Sequence, residues 1–199
     1  MKKALMILLA LAMVFGFVAC DNDTPEPKTV MTEELAKELD DSLGSIAWNA
    51  ETGTADIKKG GAYFQKDITA GETYTVSYDL TLKKASSGTV ELNHNLVTKE
   101  PSKHYCQAYL VLTLSDSGVA VAMRPETSEG NAEQLESISY TGDVAKVNVK
   151  ATYAPNSVTL SVNGDTAKAV TTTVTADSIF WCLYSANEDA GSIDSFTVV

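Results

Sequence analysis

Two alternating strings hold the side chains best suited to gripping a polar ligand. In the stretch 105–114 one phase reads Cys106, Ala108, Leu110, Leu112 and Leu114, and the other reads Tyr105, Gln107, Tyr109, Val111 and Thr113. In 90–96 the phase opposite Val90, Leu92, His94 and Leu96 is Glu91, Asn93 and Asn95. If both are strands of one sheet, Glu91, Asn93, Asn95, Tyr105, Gln107 and Tyr109 share an outward face. Rings of that kind stack on the apolar faces of a sugar, while carboxamides and carboxylates bond its hydroxyls. The same residues also suit an ordinary outer sheet face, where Tyr and Thr are favoured by β-propensity alone.

Catalytic chemistry is harder to assemble. No Gly-x-Ser-x-Gly elbow or phosphate-cradling glycine loop occurs. Only His94 and His104 are of the residue type that could act as a near-neutral base, and His94 shares the apolar phase of its strand, which marks a core-edge residue. His104-x-Cys106 offers two soft ligands without the second pair that zinc needs. Asn187, Glu188 and Asp189 offer oxygens for a structural calcium, but a loop of that length more often binds nothing. Glu133, Glu136 and Asp189 read as solvated loop charges. Trp48 and Trp181 are further candidates for stacking, although Trp181 shares its phase with Ile179 and Leu183 and is expected in the core. The residues therefore predict a protein that is not an enzyme, with no catalytic residue, no metal site and no cofactor beyond that calcium option.

These side chains must be positioned by strands, and the period of two begins after Ser45. Tyr74, Val76, Tyr78, Leu80 and Leu82 alternate with Thr75, Ser77, Asp79 and Thr81, the mark of a half-buried antiparallel strand. Similar runs are predicted at 89–97, 105–115, 119–124, 135–140, 145–153, 158–163, 167–173, 178–185 and 193–198. Turn signals separate them, among them Asp116-Ser117-Gly118, Pro155-Asn156 and Asn163-Gly164. Many short strands without a second helical pattern predict an all-β, two-sheet antiparallel sandwich over 45–199. Before it, apolar residues at 31, 35, 39 and 43 predict one amphipathic helix over 32–44, with Thr32 at its start and Gly44 at its end. The acidic, Pro-containing stretch 20–31 predicts a solvated tether.

The chain opens with Lys2 and Lys3, an apolar run from Ala4 to Ala19, and then Cys20. That order is a secretory signal, predicted over 1–19. Phe17-Val18-Ala19-Cys20 resembles a bacterial lipobox, which implies lipid on the Cys20 sulfur and Cys20 as the mature N-terminus. The resemblance implies a protein of the bacterial cell envelope, held to a membrane by lipid; the acidic residues after Cys20 resemble sorting signals that direct such proteins to either membrane. With Cys20 lipidated, Cys106 and Cys182 remain as a pair in an oxidising compartment. A bridge between them would close a loop of roughly 75 residues and contribute about 4 kcal/mol; the alternative is two buried free thiols.

The formal charge of the whole chain is −11, from 15 basic and 26 acidic side chains. Cleavage before Cys20 removes two lysines and no acid, so 13 against 26 leaves −13. Nucleic acid as a partner is excluded by that balance, which lacks a basic footprint.

Two passages carry a fold resemblance. Lys146 to Gly164 (KVNVKATYAPNSVTLSVNG) and Gly191 to Val198 (GSIDSFTV) resemble the hairpin and last strand of concanavalin-like and laminin-G-like jelly rolls. Asp67 to Tyr78 is similar to carbohydrate-binding modules of the galactose-binding type. Both imply a jelly roll, and many of their members bind glycans. Three readings follow: a lipid-anchored, non-catalytic glycan-binding module; a structural or protein-interaction lipoprotein of the envelope; and a polysaccharide hydrolase. The last would carry Glu-x-Asp-x-x-Glu on one strand, a pattern this sequence lacks.

Overall fold

The computed structural model describes residues 30–39, 44–69, 71–99, 102–125, 133–171 and 175–199; within those ranges, the side chains of 98, 99, 102–107, 125 and 166–168 also lie outside the described residues. Cys20, the segment predicted as a signal peptide and most of the predicted tether therefore lie outside the described residues.

Helix α1 is described over Glu33–Leu39, within the 32–44 that its stripe predicts; 40–43 lie outside the described residues. The Leu35 N–H donates to Thr32 Oγ1 at 3.2 Å, which caps the first turn. Glu33 and Glu34 sit in that turn and Lys37 in the last, matching the helix dipole. Met31, Ala36 and Leu39 are buried, and the helix packs against β1 (Ile46–Asn49) and β3 (Gly60–Asp67). Val30 and Met31, placed by the sequence in the tether, are already docked. Val30 bridges Ser195, and the Met31 N–H donates to the Asp194 carbonyl at 3.3 Å.

The other strands are β2 (Thr54–Ile57), β4 (Tyr74–Lys83), β5 (Ser87–Lys99), β6 (Ser102–Ser115), β7 (Gly118–Pro125), β8 (Glu133–Ile138), β9 (Val144–Ala154), β10 (Ser157–Val162), β11 (Asp165–Thr171), β12 (Ser178–Ser185) and β13 (Gly191–Val198). They form two antiparallel sheets, one in the order β1-β2-β13-β4-β9-β10-β11 and one in the order β3-β12-β5-β6-β7-β8. The chain passes between the sheets repeatedly, so strands distant in sequence become neighbours. This is a two-sheet jelly-roll sandwich, as the alternation predicts. Its turns follow local chemistry: Asn163 and Gly164 have φ of 50° and 92°, the positive pair that a tight hairpin between β10 and β11 demands.

The core lies between the inner faces. Val76, Tyr78, Leu80 and Leu82 of β4 face Leu92, His94 and Leu96 of β5, Leu110 and Leu112 of β6, and Trp181 of β12, all fully buried. Gly191 begins β13 at φ 134°, and a Cβ there would clash with the Thr81 carbonyl oxygen. Gly191→Ala is expected to lower stability by about 2 kcal/mol, through both backbone strain and a clash with an atom that cannot swing away. Urea denaturation at pH 7 measures it; a variant within 0.5 kcal/mol of the parent (about the spread of neutral surface changes) would refute it.

Candidate functional site

Cross-strand register decides which outward side chains stand together on the six-stranded sheet. One row runs Tyr63 (β3), Cys182 (β12), Asn93 (β5), Tyr109 (β6) and Arg124 (β7). The row beside it runs Gly61, Tyr184, Glu91, Val111 and Ala122, and the row on the other side runs Gln65, Phe180, Asn95 and Gln107. Successive strands lie about 4.8 Å apart, so each row brings its members within side-chain reach.

The sequence-predicted set is thus largely gathered. Asn93 is opposite Tyr109, and Asn95 is opposite Gln107. Glu91 lies one row over, opposite Val111. Tyr105 departs from the expectation. Leu96 pairs with residue 106 and Val97 with residue 104, which makes Tyr105 the extra residue of a β-bulge with no partner across β5. The side chains of Tyr105 and Gln107 lie outside the described residues.

Three aromatic residues that alternation on β5 and β6 could not reveal complete the face. Tyr63 and Phe180 stack with ring centroids 5.6 Å apart and planes 28° apart. Tyr184 is 47% exposed and Tyr63 36%, which leaves ring surface facing solvent. Their signal was present in the 178–185 run, whose phase opposite Ile179, Trp181 and Leu183 is Phe180, Cys182 and Tyr184. Tyr63 had none, because the run that becomes β3 opens on Gly60-Gly61.

Two polar atoms behind the face lack a partner. The Oδ1 atoms of Asn93 and Asn95 are buried and accept no hydrogen bond among the described residues. An unsatisfied buried acceptor costs about 1–3 kcal/mol. Asn95 is only 4% exposed although it lies in the outward phase. It sits between Phe180 and Gln107 in register.

Cys182 is a free thiol on this face. Of the two alternatives left open for Cys106 and Cys182, no bridge is formed, and the register gives the reason. Residue 182 lies opposite Asn93 and residue 106 opposite Leu96, with β5 standing between their strands. Two strand spacings put the backbones about 10 Å apart before the three-residue offset is added, beyond the about 7 Å that a disulfide spans. Burial, with the Glu91 carboxylate adding to it, pushes the Cys182 thiol up, so it stays protonated at neutral pH.

The remaining candidates have structural partners. Trp181 is fully buried, as its phase predicts, and Trp48 is partly buried against the core. His94 sits deeper than a core edge, with Nε2 2.8 Å from the Tyr78 hydroxyl and Nδ1 3.3 Å from the Ala108 carbonyl. His104 pairs through its backbone with Val97, and its side chain lies outside the described residues. The Asn187–Asp189 oxygens are spread over separate contacts: Lys83 holds Asp189 at 2.6 Å, Lys59 approaches Glu188 at 3.6 Å, and Asn187 Nδ2 donates to the Ser87 carbonyl at 3.3 Å. Among the described residues no group of three or more His, Cys, Asp or Glu is placed to hold a metal.

The outer face of the seven-stranded sheet carries a different arrangement. A shallow cavity of about 300 Å³ is lined by Asp79, Lys146, Asn148, Asn163 and Asp194. Its groups bond one another. Asp194 accepts from Ser192 at 2.7 Å, Thr81 at 2.5 Å and Lys146 at 2.9 Å, while Asp79 accepts from Ser195 at 2.6 Å and Asn148 at 2.8 Å. A β-bulge between Ile193 and Ser195 turns both Asp194 and Ser195 toward this network. Satisfied carboxylates of this kind hold strands together and leave little capacity for a ligand.

No protein-family model matches the sequence, and no curated protein is significantly similar to it. Solved structures are similar in backbone course. The PL7 alginate lyase AlyA1 from Zobellia galactanivorans aligns at 12% identity and TM-score 0.49, over 95% of this chain and 86% of its own. The carbohydrate-binding module CBM66 from Bacillus subtilis aligns at 13% and 0.44, over 78% and 91%. Sheep galectin-11, in complex with glycerol, aligns at 10% and 0.43, over 72% and 99%.

Proposed function

We propose that this chain is a non-catalytic glycan-binding module of the bacterial cell envelope, anchored by lipid on Cys20. The observation that carries the binding reading is the row Tyr63–Cys182–Asn93–Tyr109 on the six-stranded sheet, flanked by Phe180 and Tyr184. Aromatic faces and carboxamides interleave there, and a pyranose presents the complementary surfaces, apolar C–H faces and hydroxyl donors. The anchor reading rests on the Phe17-Val18-Ala19-Cys20 sequence. Because the chain is docked from Val30 onward, about ten residues separate Cys20 from the sandwich, a reach of about 35 Å when extended.

The test is a glycan array followed by calorimetry on each hit, using the mature chain, Tyr63→Ala, Tyr109→Ala and a Lys150→Ala control on the opposite sheet. Each lost ring is expected to weaken binding about tenfold, with the control unchanged and all melting temperatures close to the parent. Absence of any glycan hit, or unchanged affinities in both Tyr variants, overturns the binding reading. For the anchor, Cys20→Ala is expected to abolish incorporation of labelled palmitate and release the protein from the membrane fraction. Retention of both would refute lipidation at Cys20.

A further inference from the structure

The sequence contains a single arginine, Arg124, among 15 basic residues. It stands at the end of the Tyr63–Cys182–Asn93–Tyr109 row, directly opposite Tyr109. Lysines make the ion pairs elsewhere: Lys37 with Glu33, Lys58 with Asp56, Lys59 with Glu188, Lys83 with Asp189 and Lys146 with Asp194. Arg124, half-buried, has no acid partner among the described residues, on a chain with a large excess of acids. The nearest acid in register is Glu133 on the neighbouring β8, opposite Met123, and Glu91 is two strands and one row away, roughly 12 Å between backbones and about one Debye length.

We infer that this face selects acidic glycans, with Arg124 receiving the carboxylate of a uronic acid residue while Asn93 and Tyr109 hold its ring. This rests on the glycan-binding reading and adds the class of sugar. A guanidinium is planar, permanently charged and forked, so it meets a carboxylate through two parallel N–H···O bonds, a geometry that a lysine cannot reproduce. Tyr109 beside it supplies a ring for the sugar's apolar face, and the half-buried Asn93, next in the row, supplies a carboxamide for a hydroxyl. The net negative charge of the chain does not prevent this, because repulsion from carboxylates more than about 8–10 Å away is largely screened at physiological salt.

The experiment measures affinities for oligogalacturonate, oligoglucuronate and oligomannuronate, each beside its carboxyl-reduced form, so that ring and linkage stay constant while the charge is removed. At least one uronate is expected to bind 10- to 100-fold more tightly than its reduced partner, the range of a charge-assisted hydrogen bond. Arg124→Gln is expected to erase that difference without weakening the reduced form, and Arg124→Lys to restore only part of it. If neutral glycans bind and Arg124→Gln changes nothing, the acid selectivity is refuted while the binding reading stands. If a sulfated neutral oligosaccharide binds as tightly as the uronate, the carboxylate assignment is overturned in favour of a general anion site. If neither charged nor neutral glycan binds, both readings fall together.

Discussion

Trp181→Ala is expected to destabilise the domain by about 3–5 kcal/mol, the range for removing a large aromatic from a packed core. The indole is fully buried and lies edge-on to two rings, Tyr78 at 5.5 Å and Phe196 at 5.0 Å between centroids. Those rings also stack on each other at 5.9 Å, so the three form one unit joining β4, β12 and β13 across both sheets. Backbone restraint from the surrounding strands prevents collapse into the space, and the cavity cost adds to the lost burial. For a domain of this size the loss corresponds to roughly 10 °C in melting temperature. Tyr184→Ala, on the outer phase of the same strand, is expected to stay within about 0.5 kcal/mol. Equal losses in the two variants, measured by thermal and urea denaturation, would show that β12 does not present opposite faces to core and solvent.

The second large effect is acid sensitivity through His94. The Ala108 carbonyl can only accept, so Nδ1 carries the ring proton and Nε2 accepts from the Tyr78 hydroxyl. That arrangement requires a neutral imidazole. Burial lowers the His94 pKa to about 4 and pushes the Tyr78 phenol up, so both stay uncharged in the folded state across the physiological range. An unfolded histidine titrates near 6.5 and takes up a proton that the folded state refuses. The stabilisation is therefore complete above about pH 6.5 and is lost as pH falls toward 4, at which point it amounts to about 3 kcal/mol. Carboxylates titrate in part of the same window, so the comparison is with His94→Leu. The difference between parent and variant stability, from urea curves at pH 7, 5.5 and 4, is expected to shrink by that amount. Parallel losses in the two proteins would refute the assignment.

Much of the fold was legible because its determinants are local. The alternation in 74–82 places Val76, Tyr78, Leu80 and Leu82 inward, and all four are fully buried. Asn163-Gly164 adopts the positive φ pair that its composition predicts. Strands β1 to β3 were not individually visible, since two span four residues and the third opens on Gly60-Gly61. The Cys106–Cys182 pairing stayed open in the sequence for a different reason. Counting cysteines says that a pair exists, but whether two strands are adjacent is a property of sheet order, and β5 separates these two.

The candidate face divides along the same line. Alternation along each strand marks which phase is polar, and so supplied Glu91, Asn93, Asn95 and Tyr109 as outward candidates, because side chains alternate with a period of two wherever a strand forms. Sheet order, which no single strand encodes, puts β3 and β12 beside β5, bringing Tyr63, Phe180 and Tyr184 to Asn93, and β7 beside β6, setting Arg124 against Tyr109. Those neighbours are separated by up to about 120 positions along the chain, and their pairing is selected by core burial on the other face of the sheet. A strand's pleat is set by its own backbone, whereas its neighbours are set by how the two sheets bury their apolar faces together.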